Sequence, residues 1–400
     1  MTEFGGALAG LKVVDLSRVL GGPYCTQILA DHGADVLKVE PPQGDETRTW
    51  GPPFQDGLSA YFSGTNRNKR SIAVDLRQPK GQEIILRLLE TADVLVHNFK
   101  PGALGGWGLG YDEVLHQRYP KLIFCHITGF GADGPLGGMP GYDAAVQAMT
   151  GLMSINGDPR GGPMRMGTPI VDLGTGLIAS HAILAALFER TRSGLGQAIE
   201  VPLFDSALSM LHPQAANTLM SGIIPVSTGN GHPNIAPYDM FATRTKSIYL
   251  AVGNNGQFSK LCTLLGMSGL PEDERFKDNA SRLANKQSLT ALLASRLQEE
   301  DAERLEPRLL AAGVPAGVVR DVASALHHPH TAHRNMVVEI GSYRGTGIPA
   351  TLSRTPASVR LPPPKFAEHA LSILEEAGYS AAEVADLVDT LVVKVSIPSD

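Results

Sequence analysis

Short β-branched runs and helical-period stretches alternate along the first half of this chain, and that alternation restricts the fold more than any other feature. Residues 11–16 (LKVVDL) read as a strand, which Gly21, Gly22 and Pro23 interrupt. Apolar residues then recur at helical spacing over 24–32, Gly33 stops that pattern, and 35–40 (DVLKVE) read as a second strand. The theme repeats with strands at 71–76, 93–96 and 122–127, a helix at 81–91, a long apolar helix at 173–190 and a strand at 198–203. Alternation of this kind yields an α/β fold with a mostly parallel sheet and helices on both faces.

The texture changes after Met220, where 222–239 is rich in Gly, Pro and Asn, the composition of a linker or functional loop. Beyond it a strand at 247–252 and helices at 257–265, 286–298 and 302–312 suggest a smaller unit, followed by an irregular stretch from 322 and an amphipathic helix at 366–377. A chain of 400 residues exceeds what one core usually needs. The expected organisation is therefore a large parallel-sheet domain over 1–220, a linker and small inserted domain over 221–322, and a return to the large domain over 323–400.

Hydrophobic residues make up 43% and charged residues 18%, an ordinary balance for a chain with a buried core. A net charge of −6 with no dense basic stretch argues against a nucleic-acid partner. No leader pattern stands at the N-terminus and no uninterrupted run approaches about 18 apolar residues, so no membrane span is expected. The cysteines are Cys25, Cys125 and Cys262, odd in number and far apart, which fits a reducing, cytoplasmic setting. The sequence contains no GxxxxGK[ST], HExxH or GxSxG. His327, His328, His330 and His333 form a cluster, but Pro329 interrupts it and no acidic or thiolate ligand is near, so no metal is expected there.

Several blocks, taken in order, resemble the class III CoA-transferase family, whose members include the related acyl-CoA racemases. They are 11–42 (LKVVDLSRVLGGPYCTQILADHGADVLKVEPP), 66–76 (NRNKRSIAVDL), 92–104 (ADVLVHNFKPGAL), 127–143 (ITGFGADGPLGGMPGYD), 167–176 (GTPIVDLGTG) and 229–241 (GNGHPNIAPYDMF). The resemblance implies a Rossmann-like large domain, an interlocked homodimer, and acyl-CoA and small carboxylic acids as substrates. It implies no permanently bound cofactor.

The family's nucleophilic aspartate matches Asp172. Read alone, the position is a carboxylate entering an apolar helix, where backbone N–H groups favour negative charge; a plain N-cap is the other reading. The resemblance implies CoA contacts from Arg18, Val19, Arg67, Asn68, Lys69, Arg70, Asn98, Phe99, Lys100 and Tyr142. The Gly-rich loop Gly229, Asn230, Gly231, His232 is a candidate for substrate and oxyanion contacts, and His232 and Arg165 are candidates for a distal carboxylate.

Racemases that resemble this family carry a histidine before the aspartate of the Gly-x-Asp element, which here reads Gly141-Tyr142-Asp143. Tyrosine, with a pKa of about 10, is a poor base toward a thioester α-carbon. The stretch 252–257 (VGNNGQ) also lacks the glutamate that the racemases use. A transferase of the succinyl-CoA-using, dicarboxylate branch is therefore expected; a 2-methylacyl-CoA racemase or epimerase, and an intramolecular CoA-transferase, are the alternatives. His126 lies in a strand-like run and reads as structural.

Overall fold

The β-branched runs form strands β1 (Lys12–Asp15), β2 (Asp35–Glu40), β3 (Lys69–Val74), β4 (Val94–His97), β5 (Ile123–Thr128) and β6 (Ala198–Pro202). The computed structural model describes residues 5–396, so the first residues of the N-terminal segment read above for a leader lie outside it. Across the sheet the order is β3-β2-β1-β4-β5-β6, all parallel, and a short C-terminal strand, Val393–Lys394, pairs antiparallel with β3. This is the strand order of a doubly wound sheet, whose direction of winding reverses between β1 and β4. Ligands in such sheets bind in the crevice outside the carboxyl ends of the strands at that reversal.

Successive side chains point to opposite faces, so each strand feeds two cores. Val13, Val36, Val94, Val96, Ile123 and Cys125 pack beneath helices α1 (Gly21–Asp31) and, later in the chain, the 24-residue helix Ile170–Ser193. Val14, Ile72, Val74 and Leu95 pack on the other face beneath α2 (Pro79–Leu89) and the C-terminal helix Ala370–Glu376. A short helix, α3 (Asp143–Met149), precedes the long one, which is α4. By length and composition α4 could cross a bilayer, a property that the search for uninterrupted apolar runs did not detect; in this fold Val171, Ala179, Ile183 and Ala186 bury it against the sheet.

By contacts the chain forms two units, one comprising residues up to 152, 166–222 and from 330 onward, the other 153–165 and 223–329. In the second unit β7 (Tyr238–Ala242), β8 (Ser247–Ala251) and β9 (Ala316–Val318) form an antiparallel sheet. Helices α5 (Asn255–Leu264), α6 (Lys286–Leu297) and α7 (Ala302–Ala311) share its core of Ile248, Leu250, Phe258, Leu261, Leu293 and Leu305.

Several expectations need correction. Helix α1 begins at Gly21, because a proline in the first turn lacks only an N–H that would have no helical acceptor anyway. Strand β3 starts at Lys69, two residues before the expected Ser71, so Lys69 and Arg70 are strand residues and not loop residues. Residues 153–165 belong to the second unit. The stretch after 322 contains two short helices and the hairpin Val337–Ile340/Tyr343–Thr346, the helix expected at 366–377 spans Ala370–Glu376, and a further helix follows at Ala381–Asp389. Cys25, Cys125 and Cys262 are all buried and unpaired by disulfides. Among the described residues no group of three or more His, Cys, Asp or Glu side chains is arranged to hold a metal ion.

Helices α1 and α4 cross closely where a Cβ on Gly176 would lie 2.7 Å from the Gly21 carbonyl oxygen and 3.1 Å from the Tyr24 ring. Backbone cannot yield there cheaply. Gly176→Ala is expected to lower unfolding stability by about 1–3 kcal/mol through overpacking; a denaturant titration with an unchanged midpoint would contradict this close crossing.

Candidate active site

The reversal point of the sheet is walled by the loops after β1 and β4. Asn98 joins them: its Oδ1 accepts from Arg18 N at 3.0 Å, and its Nδ2 donates to the Arg18 carbonyl at 2.8 Å. A cavity of about 150 Å³ opens between them, lined by Arg18, Val19, Gly21, Asn98, Phe99, Lys100, Tyr142 and Asp172. A neighbouring cavity of about 290 Å³ shares Arg18 and Phe99 and extends to Val39, Leu76, Arg77 and Trp107. A third cavity, about 710 Å³, lies elsewhere, between 53–64 and 342–368, and contains none of the expected site residues.

Asp172 is the third residue of α4 and does not cap it; the N-cap position is Pro169, which offers no side-chain acceptor. Asp143 supplies the cap from a distance. Its Oδ2 accepts from Val171 N at 2.8 Å and from Asp172 N at 3.2 Å, while its Oδ1 accepts from Gln147 Nε2 at 2.6 Å. Gln147 in turn accepts from Met166 N at 2.9 Å. The Asp172 carboxyl is thus left without a side-chain hydrogen bond among the described residues. Burial, and then the Asp143 charge, raise its pKa from 3.8 to about 7. A basic, unpartnered carboxylate facing a cavity has the character of a nucleophile rather than of a structural cap.

The start of α1 lies against this carboxyl group: a Cβ on Gly21 would be 3.6 Å from Asp172 Oδ1. Glycine here leaves space beside the carboxylate at the start of an eleven-residue helix. Tyr61 lies within electrostatic reach of the site. Burial and the charges of Asp172, Asp143 and Asp45 push its phenol up to about 12, which keeps it protonated and able to donate. Its ring packs edge-on against Trp50 at 5.0 Å. Neither Asp143 nor Tyr61 was selected from the sequence; Asp143 had been read only as the marker beside Tyr142.

Behind the β1–α1 loop lies a buried ionic cluster. Lys69 Nζ reaches Asp15 at 3.1 Å, the Pro23 carbonyl at 2.8 Å and Asn66 Oδ1 at 2.9 Å. Lys38 pairs with Asp45 at 2.9 Å and donates to the Ser17 carbonyl at 3.0 Å. Burial alone would raise Asp15, yet Lys69, Lys38 and the hydroxyls of Ser17 and Thr26 outweigh it and hold the carboxyl below its ordinary range.

The basic block 67–70 therefore requires a correction. It runs into the first residues of β3, and in a parallel sheet that is the amino end, opposite the end at which the cavities lie. Arg67 is buried against Asp31 at 2.7 Å. Asn68 has φ of 62° and binds Asp31 and the Ser358 carbonyl, and Arg70 is divided between Asp35 and Glu376. These groups hold the framework. The cations at the carboxyl ends include Arg18, Lys100 and, after β3, Arg77, which was not selected from the sequence.

In the second unit the Gly229–His232 loop is fixed from behind. Tyr249 Oη donates to the Asn230 carbonyl at 2.6 Å, and Lys286 Nζ to the His232 carbonyl at 3.2 Å. His232 Nδ1 accepts from Asn234 N at 3.0 Å. Burial and then Lys286 lower the His232 pKa, so this ring is neutral near pH 7 and the local cation is Lys286. Arg165 is exposed in the 153–165 segment of the same unit.

The family model described as CoA-transferase family III matches residues 8–370. The chain is 42% identical to a succinate–glutarate CoA-transferase of Agrobacterium fabrum, over 92% of this chain and 95% of that one. It is 38% identical to a human succinyl-CoA:glutarate CoA-transferase, covering 92% and 85% respectively. Its structure is similar to a crystal structure of a CAIB/BAIF family protein from Brucella suis, with a TM-score of 0.84, 44% identity, and coverage of 93% of this chain and all of that one.

The buried pair predicts a specific consequence. Lys69→Met leaves Asp15 charged and uncompensated, so unfolding stability should fall by about 3–5 kcal/mol. A variant that melts like the parent but no longer binds CoA would contradict the framework role assigned to Lys69.

Proposed function

The chain belongs to CoA-transferase family III, and we propose that it moves CoA from succinyl-CoA to a small dicarboxylic acid through a covalent bond to Asp172. The observation that carries this reading is the partnerless Asp172 carboxyl in the cavity at the sheet's reversal point, with a pKa of about 7. The succinyl-CoA and glutarate named for the similar enzymes support the choice of substrates.

The ionised Asp172 attacks the donor thioester, breaking its C–S bond to give a mixed anhydride and CoA thiolate. The thiolate attacks the aspartyl carbonyl of the anhydride and releases free succinate, leaving CoA as an aspartyl thioester. An acceptor carboxylate then displaces CoA to form a second anhydride. The thiolate attacks the acceptor-side carbonyl, which yields the new acyl-CoA and regenerates Asp172. Dividing the exchange in this way replaces one difficult step with easier ones. Nucleophilicity of an oxygen anion rises with its basicity, so the elevated pKa strengthens the attack once the proton is lost. The first-turn N–H groups of α1 and the Tyr61 hydroxyl are suited to the oxyanion that forms at each carbonyl.

CoA is a substrate here, not a resident cofactor. Its nucleotide end suits the larger cavity, with Trp107 and Leu76 for the base and Arg77, Arg18 and Lys100 for the phosphates. Val19, Asn98, Phe99 and Tyr142 line the path to Asp172. For the acceptor, Gly229, Asn230, Gly231, His232 and Arg165 remain the proposed contacts, with Lys286 added as the cation held at that loop. Leu177, Leu184 and Phe188, exposed along one face of α4, are suited to contact with a second copy in a homodimer. Neither nucleic acid nor membrane is proposed as a partner, and the cytoplasm is the proposed location.

Chromatography of CoA esters tests the reaction: succinyl-CoA with glutarate should give glutaryl-CoA, without solvent deuterium entering the α-carbon. Failure with succinyl-CoA and acetyl-CoA alike, or deuterium exchange without transfer, would overturn the proposal.

The pH dependence has a definite sign. Below pH 7 Asp172 is mostly protonated, so kcat/KM should climb with pH and level off above about 7. Asp143→Asn removes the like charge and should move that limb to lower pH; an unmoved limb would dissociate it from Asp172. Because the folded-state pKa exceeds the unfolded one, this group's contribution to stability is full below pH 3.8 and is lost as pH rises through about 7. Asp172→Asn should accordingly be more stable than the parent at pH 8, and a denaturant titration there that shows the reverse would contradict the shift.

A further inference from the structure

Two histidines outside the reaction scheme lie beneath the loop shared by the two cavities. His97 ends β4 and pairs in register with His126 on β5. Lateral neighbours in a sheet project from the same face, and the two rings stack at 4.1 Å with an interplanar angle of 15°. His126 Nε2 lies 2.8 Å from the Phe99 carbonyl oxygen. A carbonyl can only accept, so Nε2 carries the proton and donates.

His97 is the second, independent peculiarity. It is 3% exposed, and neither ring nitrogen has a hydrogen-bond partner among the described residues. Its ring is enclosed by His126, by Phe124 at 4.9 Å and by Phe99 at 5.9 Å. Burial, and then His126, hold its pKa well below the ordinary value. Burial also lowers His126, against the Phe99 carbonyl and Glu200. Both rings are therefore neutral near pH 7 and stack without charge repulsion.

The group that they hold matters to the cleft. Phe99 lines both cavities and meets the Trp107 ring edge-on at 5.2 Å. The preceding residue, Asn98, ties this loop to Arg18 from the side. His126 is the tie from below. Without it the Phe99 peptide is free to rotate, and the wall between the two cavities loses its fixed position.

We infer that His126, braced by the stacked His97 ring, is a positioning residue for CoA: it fixes the Phe99 carbonyl, and so the Asn98–Lys100 wall along which the extended ligand lies. This inference rests on the proposal that CoA occupies these two cavities. It assigns His126 no contact with the reacting atoms.

The test uses the full chain with free CoA, by calorimetry, and succinyl-CoA, by steady-state kinetics. His126→Phe keeps a ring in the stack and removes the donor. Loss of one hydrogen bond should weaken CoA binding and raise KM by roughly three- to tenfold, with kcat at saturating donor within about twofold. His126→Gln restores an N–H at similar reach and should recover most of that loss. Should His126→Phe not fold, His126→Asn, whose shorter amide does not reach the carbonyl, carries the same expectation. Unchanged CoA affinity, a fall in kcat at constant KM, or no recovery with Gln would overturn the inference. A parent chain that binds no CoA would overturn the functional proposal itself, and this inference with it.

Discussion

The Asp15–Lys69 ion pair is the interaction on which the rest of the cleft depends. Both side chains are withdrawn from water at the centre of the sheet, and each is satisfied by further groups: Thr26 at 2.6 Å on Asp15, Pro23 and Asn66 on Lys69. Such a pair contributes little net stability beyond an apolar alternative, but breaking it is costly, which suits a device for fixing geometry. Here it fixes the turn from β1 into α1, with Lys38 and Asp45 alongside. The turn needs this support, because Val19, a β-branched residue, has φ of 70°. That conformation is strained for such a side chain, and Asp45 meets its N–H at 3.3 Å. Strain of this kind persists only where the surroundings over-determine it.

From that turn the order extends to the chemistry. The fixed loop delivers Gly21 at the head of α1, and Gly176 allows α4 to approach until Asp172 lies against it. Asp143 then satisfies the backbone of α4 so that Asp172 does not have to. One carboxylate caps and the other is left free, and the cap's own charge raises the basicity of its neighbour. A single residue thus positions the proposed nucleophile and raises its proton affinity.

Much of this was legible in the sequence because it is local. Strand–helix alternation identified the α/β sheet, the residues around Asp172 placed a carboxylate at a helix entrance, and six blocks in order carried the resemblance to the family. What was not legible depends on register or on distance. Placing β3 two residues late made Lys69 and Arg70 look like loop cations, since a basic triplet reads the same in either register. The bond from Asp143 to α4 spans 28 residues, and no spacing rule reports it. His232 looked like a cation for a distal carboxylate, whereas burial and then Lys286, far along the chain, suppress the histidine's charge. Segment 153–165 reads from its Gly and Pro content only as a loop, which does not reveal that it packs with the second unit.

The central claim is that Asp172 becomes covalently attached to CoA. The most direct measurement is to incubate the protein with succinyl-CoA, trap with hydroxylamine, and map the modified peptide by mass spectrometry. The account predicts a hydroxamate at Asp172, formed only in the presence of succinyl-CoA and absent from Asp172→Ala. A parent protein that transfers CoA yet yields no modification at Asp172 would contradict it.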